Sequence, residues 1–194
     1  MDCKKVGVLI SNLRKEKGMT QRELAEAMNL SDRTISKWER GMGCPDVSLL
    51  NVLSKILEVD IENILTGNLI PNEKDRGNMS KIKFYVCPAC ENVLFGTGEA
   101  DISCCGRKLA VLPVEAISDS HIMTISEVED DFYITIDHEM TKTHYISFVA
   151  FIGYDRVLLV KLYPEQNAEL RFLKIRGGKI YAYCNKHGLW EEKI

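Results

Sequence analysis

The chain has 194 residues, 45% of them hydrophobic and 27% charged, with a formal net charge of −3 at pH 7. Those values exclude a disordered chain and a bulk polycation, and fit one large domain or two small ones. No run of roughly eighteen apolar residues is present, which argues against a membrane-spanning helix. The amino-terminal stretch MDCKKVGVLISNLRKEKG breaks at Ser11-Asn12, so it is a poor signal peptide. A cytoplasmic protein is therefore expected, in which seven cysteines point to metal binding over disulfides.

Residues 1 to about 66 read as helix throughout. Val6, Leu9, Ile10 and Leu13 repeat at helical spacing, and Gly18 ends that helix. Thr20 caps a second helix, with Glu23 completing a capping box. Ser31 caps a third, SDRTISKWER, which Gly41 ends. Pro45 opens a fourth through about Leu57, and Ile61 to Leu65 makes a last turn. The stretch TGNLIPNEKDRGNMSK is polar and turn-rich and reads as a linker. Beyond it the pattern changes to short β runs: KFYV, HIMTI, DFYITI, HYISFVAFIGY, RVLLVKLY, AELRFLKI and KIYAYC. Arg176-Gly177-Gly178-Lys179 reads as a hairpin turn between the last two. Six or seven strands with short turns predict a β-sandwich.

Two short helices joined at Met28-Asn29-Leu30-Ser31 form a helix-turn-helix pattern, with Leu24, Ala25, Met28, Leu30, Ile35 and Trp38 as its core. The exposed side of the third helix then carries Asp32, Arg33, Thr34, Ser36 and Lys37. The stretch TQRELAEAMNLSDRTISKWERG resembles the phage-repressor (XRE) family. The resemblance implies double-stranded DNA as partner, a homodimer on two half-sites, and a third helix entering the major groove. It places Asp32, Arg33 and Lys37 at base-reading positions and Gln21 at a phosphate contact, and Arg40 is a further phosphate candidate. Arg33 and Lys37 can donate to guanine, whereas Asp32 can only accept, for example from cytosine N4. Basic and acidic side chains balance over residues 1–70, so non-specific DNA affinity is expected to be weak.

Cys87-Pro-Ala-Cys90 followed by Cys104-Cys105 supplies four thiolates, a set suited to tetrahedral zinc or iron. Adjacent cysteines can share a metal only if the chain turns sharply, and Gly106 allows it. The run YVCPACENVLFGTGEADISCCGRKL resembles desulforedoxin, which implies one iron on Cys87, Cys90, Cys104 and Cys105, with structural zinc as the alternative. Cys3 and Cys44 lie outside the ligand groups and read as structural or incidental thiols.

All four histidines, His121, His138, His144 and His187, fall in the last third or so of the chain, with Cys184 three residues before the last. The segments HEMTKTHYISFVAFIG and KIYAYCNKHGLW resemble the iron centre of superoxide reductases. That resemblance implies a second mononuclear iron, with the four imidazoles around it, Cys184 as axial thiolate and an open position opposite. It also implies reduction of superoxide to hydrogen peroxide, re-reduction by an electron donor such as a rubredoxin-type protein, and Trp190 near the iron. Two departures stand out. Where the family carries glutamate and lysine before the first histidine, this chain has Asp119 and Ser120, and Glu139 replaces a proline after the second. Loss of the lysine weakens steering of superoxide, and Lys142 is a candidate substitute cation.

The expected architecture is multidomain α plus β: a five-helix DNA-binding domain (1–66), a linker (67–81), a small desulforedoxin-like metal domain (82–113) and an immunoglobulin-like β-sandwich (114–194). The expected function is superoxide reduction, a coupling of iron redox state to transcription, or both. The alternative is a catalytically silent repressor, stabilised by zinc or iron, whose carboxy-terminal module serves dimerisation or sensing. No membrane partner is expected.

Overall fold

The computed structural model describes residues 1–74, 79–116, 121–175 and 177–194. It divides into two compact units, Met1–Pro71 and Asn72–Ile194. Among the described residues no helix is long and apolar enough to cross a membrane.

The first unit holds five helices: α1 (Cys3–Glu16), α2 (Gln21–Ala27), α3 (Asp32–Glu39), α4 (Val47–Leu57) and α5 (Ile61–Thr66). Each start has a chemical reason. The Asp2 carboxylate accepts from the Lys4 and Lys5 amides, the Thr20–Glu23 capping box is complete, and the Ser31 hydroxyl accepts from the Thr34 amide. The fourth helix begins after Pro45 because Asp46 is its cap, accepting from the Ser48 amide. Val6, Ile10, Leu24, Ile35, Leu53 and Ile64 are fully buried and form one core with Trp38. Leu30, half-buried, packs against that core as expected.

Helix α1 crosses α3 so closely that a Cβ at Gly7 would lie 2.0 Å from the Trp38 carbonyl oxygen. Beside that crossing the Arg14 guanidinium grips Glu39 with two bonds, Nε to Oε1 at 2.6 Å and Nη2 to Oε2 at 3.0 Å. Both side chains are under 10% exposed, at 9% and 7%. A buried pair holds only when its remaining polar atoms are satisfied. Here Arg14 Nη1 also donates to the Met19 carbonyl, and Gln21 Nε2 donates to Glu39 Oε2.

The two cysteines outside the ligand groups are not free thiols. Cys3 and Cys44 are joined by a disulfide, with their Cα atoms 4.9 Å apart. Their sequence separation of 41 hides the pairing. Folding brings the loop after α3 onto the first turn of α1.

The second unit opens with two antiparallel hairpins, β1 (Lys83–Val86) with β2 (Val93–Gly96), and β3 (Ile102–Cys104) with β4 (Arg107–Leu109). Seven further strands follow: β5 (Met123–Val128), β6 (Asp131–Ile136), β7 (Ile146–Ile152), β8 (Val157–Lys161), β9 (Glu169–Leu173), β10 (Lys179–Cys184) and β11 (Gly188–Lys193). They form an antiparallel sandwich of a four-stranded sheet, β11-β10-β7-β8, and a three-stranded sheet, β5-β6-β9. Ile134 and Ile136 from one sheet meet Val149, Phe151, Ile180 and Ala182 from the other.

Every residue of β7 is buried, because the four-stranded sheet is covered on both faces. Val149 and Phe151 face the sandwich core. Phe148, Ala150 and Ile152 alternate with them and face β1, where Phe84 lies 5.4 Å from the Phe148 ring and 5.5 Å from that of Tyr181. The sandwich thus carries the cysteine hairpins on its back.

Four strands are absent from the sequence reading: β2, β3, β4 and β11. The first three have only three or four residues each. KIYAYC is therefore not the last strand, and the Cys184–His187 segment is the turn joining β10 to β11. Strands β9 and β10 lie in different sheets, so their connection crosses over and is not a hairpin. Arg176 of that connection lies outside the described residues.

Candidate metal centres and nucleic-acid face

Cys87 and Cys90 lie in the turn between β1 and β2, where the Glu91 amide donates to the Cys87 carbonyl at 2.9 Å. Cys104 ends β3, and Cys105-Gly106 make the two-residue turn into β4. Both turn residues have positive φ, 51° and 73°, as a tight hairpin of this type requires. That turn lets two adjacent thiols converge on one point. The four Sγ atoms lie within 4.8 Å of one another. Cys90 Sγ is 3.6 Å from Cys104 Sγ, which is 4.0 Å from Cys105 Sγ. A tetrahedron with metal–sulfur bonds of about 2.3 Å has edges of about 3.8 Å, so the donor set fits a single ion. The protonation chemistry agrees. Backbone amides of Ala89 and Cys90 lower the Cys87 thiol to about 7. Hydrogen bonding to Cys90, Cys87 and Cys104 pushes Cys105 up to about 12. Four thiolates this close need a cation to exist together.

The second group gathers residues from three places in the chain. His121 lies two residues before β5, His138 and His144 stand in the loop from β6 to β7, and Cys184 and His187 flank the β10–β11 turn. Register shifts between Tyr183 and Cys184 where β10 pairs with β7, because Ser147 of β7 is passed over beside the site. Donor atoms of His121, His138, Cys184 and His187 lie within 4.8 Å of one another. His144 stands outside that tight set, yet its Nε2 is 3.2 Å from His187 Nδ1, which is 3.5 Å from Cys184 Sγ. Adjacent donors on an ion with metal–nitrogen bonds of about 2.1 Å lie about 3 Å apart.

Both ring nitrogens of His138 are buried, and the Glu139 backbone offers only a poorly aligned partner, a costly state that a metal bond relieves. Burial first, then the neighbouring imidazoles, lowers His121 to about 4, and burial lowers His138. Both rings are therefore neutral at physiological pH, the form that ligates metal. Trp190 packs edge-on to His121 with ring centroids 4.8 Å apart, as the resemblance implies. Cys184 and His121 are buried and His187 is exposed, so solvent reaches the group from the His187 side.

On the first unit, Gln21, Asp32, Arg33, Ser36, Lys37 and Arg40 line one surface hollow with Met42. Thr34 is not among them: its hydroxyl lies 2.9 Å from Ser31 Oγ, at the helix cap. Asp32 Oδ1 accepts from the Arg33 amide, and Arg40 Nε donates to the Ser36 carbonyl. Gln21 is held by Glu39, so the Arg14–Glu39 pair orients a candidate phosphate contact.

Two family models match the chain: a helix-turn-helix model over residues 10–64 and a desulfoferrodoxin model over residues 117–193. A desulfoferrodoxin from Syntrophotalea carbinolica is 30% identical over 123 residues, 58% of this chain and 97% of the relative. The chain belongs to the desulfoferrodoxin family. Its amino-terminal unit is an XRE-type helix-turn-helix domain. Over 80 residues the chain is 36% identical to the HTH-type transcriptional activator BcrR of Enterococcus faecalis, covering 40% of this chain and 39% of that one. The crystal structure of the superoxide reductase from Treponema pallidum shares the fold, with a TM-score of 0.52 and 22% identity over 58% of this chain and 98% of that one.

The desulfoferrodoxin unit also shows residues that the sequence does not single out. Asn185 ties the Cys184–His187 turn to the segment around His144. Its Oδ1 accepts from the Tyr145 amide at 3.1 Å, its Nδ2 donates to the Thr143 carbonyl at 3.2 Å, and its own amide donates to the Tyr145 carbonyl at 3.2 Å. Glu139 Oε2 lies 3.0 Å from His144 Nδ1, which leaves Nε2 facing His187. The Tyr145 hydroxyl donates to Glu91, so residues adjacent to the two groups are hydrogen-bonded to each other. A polar residue inside a Cys-x-x-His turn is a signal that could have marked Asn185. Nothing local marks the Glu91–Tyr145 contact, with a separation of 54. The Lys142 ammonium lies 3.7 Å from Glu165, so an acid already partners this candidate cation. Asp119 and Ser120 lie outside the described residues.

Proposed function

We propose that this chain is a DNA-binding protein whose desulfoferrodoxin module reduces superoxide to hydrogen peroxide, with the helix-turn-helix tying that chemistry to transcription. The observation that carries the reading is the gathering of the His121, His138, Cys184 and His187 donor atoms within 4.8 Å, with His144 Nε2 3.2 Å from His187 Nδ1. These five side chains would hold one iron, and the four cysteines of residues 82–113 a second iron or a zinc. When bound, iron supplies the one-electron chemistry. The protein keeps His121 and His138 neutral and uses Glu139 and Asn185 to aim His144. It also presents the group to solvent on the His187 side.

Local charge favours modest speed. Glu139 is acidic, Lys142 faces Glu165, and the family lysine is Ser120. Electrostatic steering changes on-rates by roughly ten- to a thousandfold, so turnover below that of a lysine-bearing relative is expected. The same observation favours the second reading, a silent repressor that uses the module for sensing or dimerisation. The working form is a cytoplasmic homodimer on double-stranded DNA, re-reduced by a small electron-transfer protein of the rubredoxin kind.

Metal titration of the reduced full chain tests the ligand assignment. His138→Ala should lose the iron with thiolate–imidazole spectroscopy and keep the tetrathiolate one, and Cys87→Ser should do the reverse. Loss of both metals from either variant, or of neither, contradicts the assignment. Iron-free, zinc-loaded chain that binds its DNA as tightly as the iron forms would favour the silent repressor.

A further inference from the structure

We propose that Cys3 and Cys44 are a peroxide-oxidised thiol pair whose disulfide pins the loop that follows the DNA-facing helix. The supply of peroxide rests on the reading above, whereas the site rests on its own geometry. The two cysteines are bonded in the first unit, Cα to Cα at 4.9 Å, and neither is fully buried. Cys3 is the first residue of α1, so the bond ties the loop after α3 to a helix end. Two half-buried cysteines close enough to bond, with no metal-ligand role, suit a redox-sensing pair.

What the bond controls follows from the loop it holds. Arg40 and Met42 line the same hollow as Arg33 and Lys37, and Cys44 lies two residues beyond Met42. At Gly41, φ is +70°, and a Cβ there would lie 2.8 Å from Lys4 Cγ and 2.9 Å from Lys4 Cα. The loop is therefore seated directly on the first turn of α1, and the disulfide fastens it there. In the reduced chain that seat depends on non-covalent contacts alone.

The chemistry balances. The Cys3 thiolate attacks one peroxide oxygen, the O–O bond breaks, and hydroxide leaves to give a sulfenic acid. The Cys44 thiol displaces hydroxide from that sulfur, forming the S–S bond. In sum, hydrogen peroxide and two thiols give one disulfide and two waters, the two electrons passing from sulfur to oxygen. Peroxide diffuses, so the oxidant needs no fixed arrangement of the two units. The pair would report to the DNA face that the iron module has turned over.

Reduced full chain, its tetrathiolate group loaded with zinc to shield those thiols, tests the site directly. Added hydrogen peroxide should produce a peptide linking Cys3 to Cys44. It should also slow amide exchange over residues 40–46 by at least about tenfold, the low end of what a crosslink closing such a loop implies. Cys44→Ser should show neither change. Peroxide that leaves the pair reduced, or a link that leaves exchange over 40–46 unchanged, overturns the proposal. Iron-loaded chain and its His138→Ala variant under the same superoxide flux separate the two claims, since spontaneous dismutation supplies the same background peroxide to both. A link formed by added peroxide, but no faster under superoxide in the iron-loaded chain than in that variant, would refute the superoxide reading and leave the thiol site standing.

Discussion

His144 is held from two sides, by the Glu139 carboxylate at Nδ1 and by Asn185 across the backbone of Thr143 and Tyr145. Carboxylates on ligating histidines fix ring orientation and raise basicity, and their loss costs ten- to a hundredfold in metal affinity. Glu139→Ala should therefore weaken iron at the histidine group by roughly that factor and leave the tetrathiolate metal unchanged. Titration of each group by its own spectrum reads this. Equal weakening at both groups would point to a general loss of fold. Asn185→Ala should weaken the same group while leaving the thermal transition of the first unit in place. Read from sequence, Glu139 is a negative charge near the ligands. In three dimensions it is also an orienting partner, because the β6–β7 loop folds it back onto a ring five residues on. The ligands themselves were legible because Cys and His are rare and clustered. Their supports were not, because Asn and Glu are common and their partners lie up to 42 positions away.

At the scale of elements, the helices were legible from their caps: Thr20, Ser31 and the apolar spacing of α1 act locally. Strands β3 and β4, three residues each, owe their existence to a turn and a bound pair of neighbours, which local pattern does not carry. The α1–α3 clamp makes two predictions. Breaking a buried ion pair leaves an uncompensated charge and costs about 3–5 kcal/mol, so Arg14→Ala should lower the stability of the helical unit by about that much. Burial raises the Glu39 carboxyl, but hydrogen bonds from Arg14 and Gln21 outweigh it and hold it below the ordinary 4.5. Its folded value is thus depressed, so its contribution is complete above the unfolded value and is lost as pH falls below about 4.5. Acid titration of unfolding should show this loss, and Glu39→Gln should flatten it. An unchanged pH slope in that variant would remove the clamp from the account. On the same face, Arg33→Ala should cost about 1–3 kcal/mol on the preferred DNA sequence and relax specificity at one base pair. A uniform loss across sequences would recast Arg33 as a phosphate contact.

For the whole molecule, an iron module and a DNA-binding domain on one chain make any coupling reciprocal. If oxidising the iron changes DNA affinity tenfold, saturating DNA must shift the iron potential by about 59 mV, since one electron is transferred. A potential that is the same with and without DNA would exclude sensing through the iron itself and leave the Cys3–Cys44 pair as the route. The two-part organisation was legible because the chain changes from helical to alternating pattern near residue 82. The disulfide was not, since composition argues against it and only folding brings residues 3 and 44 together. The central claim is that the five-ligand group reduces superoxide. The most direct test is the rate of superoxide consumption by anaerobically prepared, iron-loaded full chain beside a His144→Ala control. An iron-dependent rate well above buffer, lost in the control, is the predicted result; iron held at both groups with no consumption above buffer would contradict it.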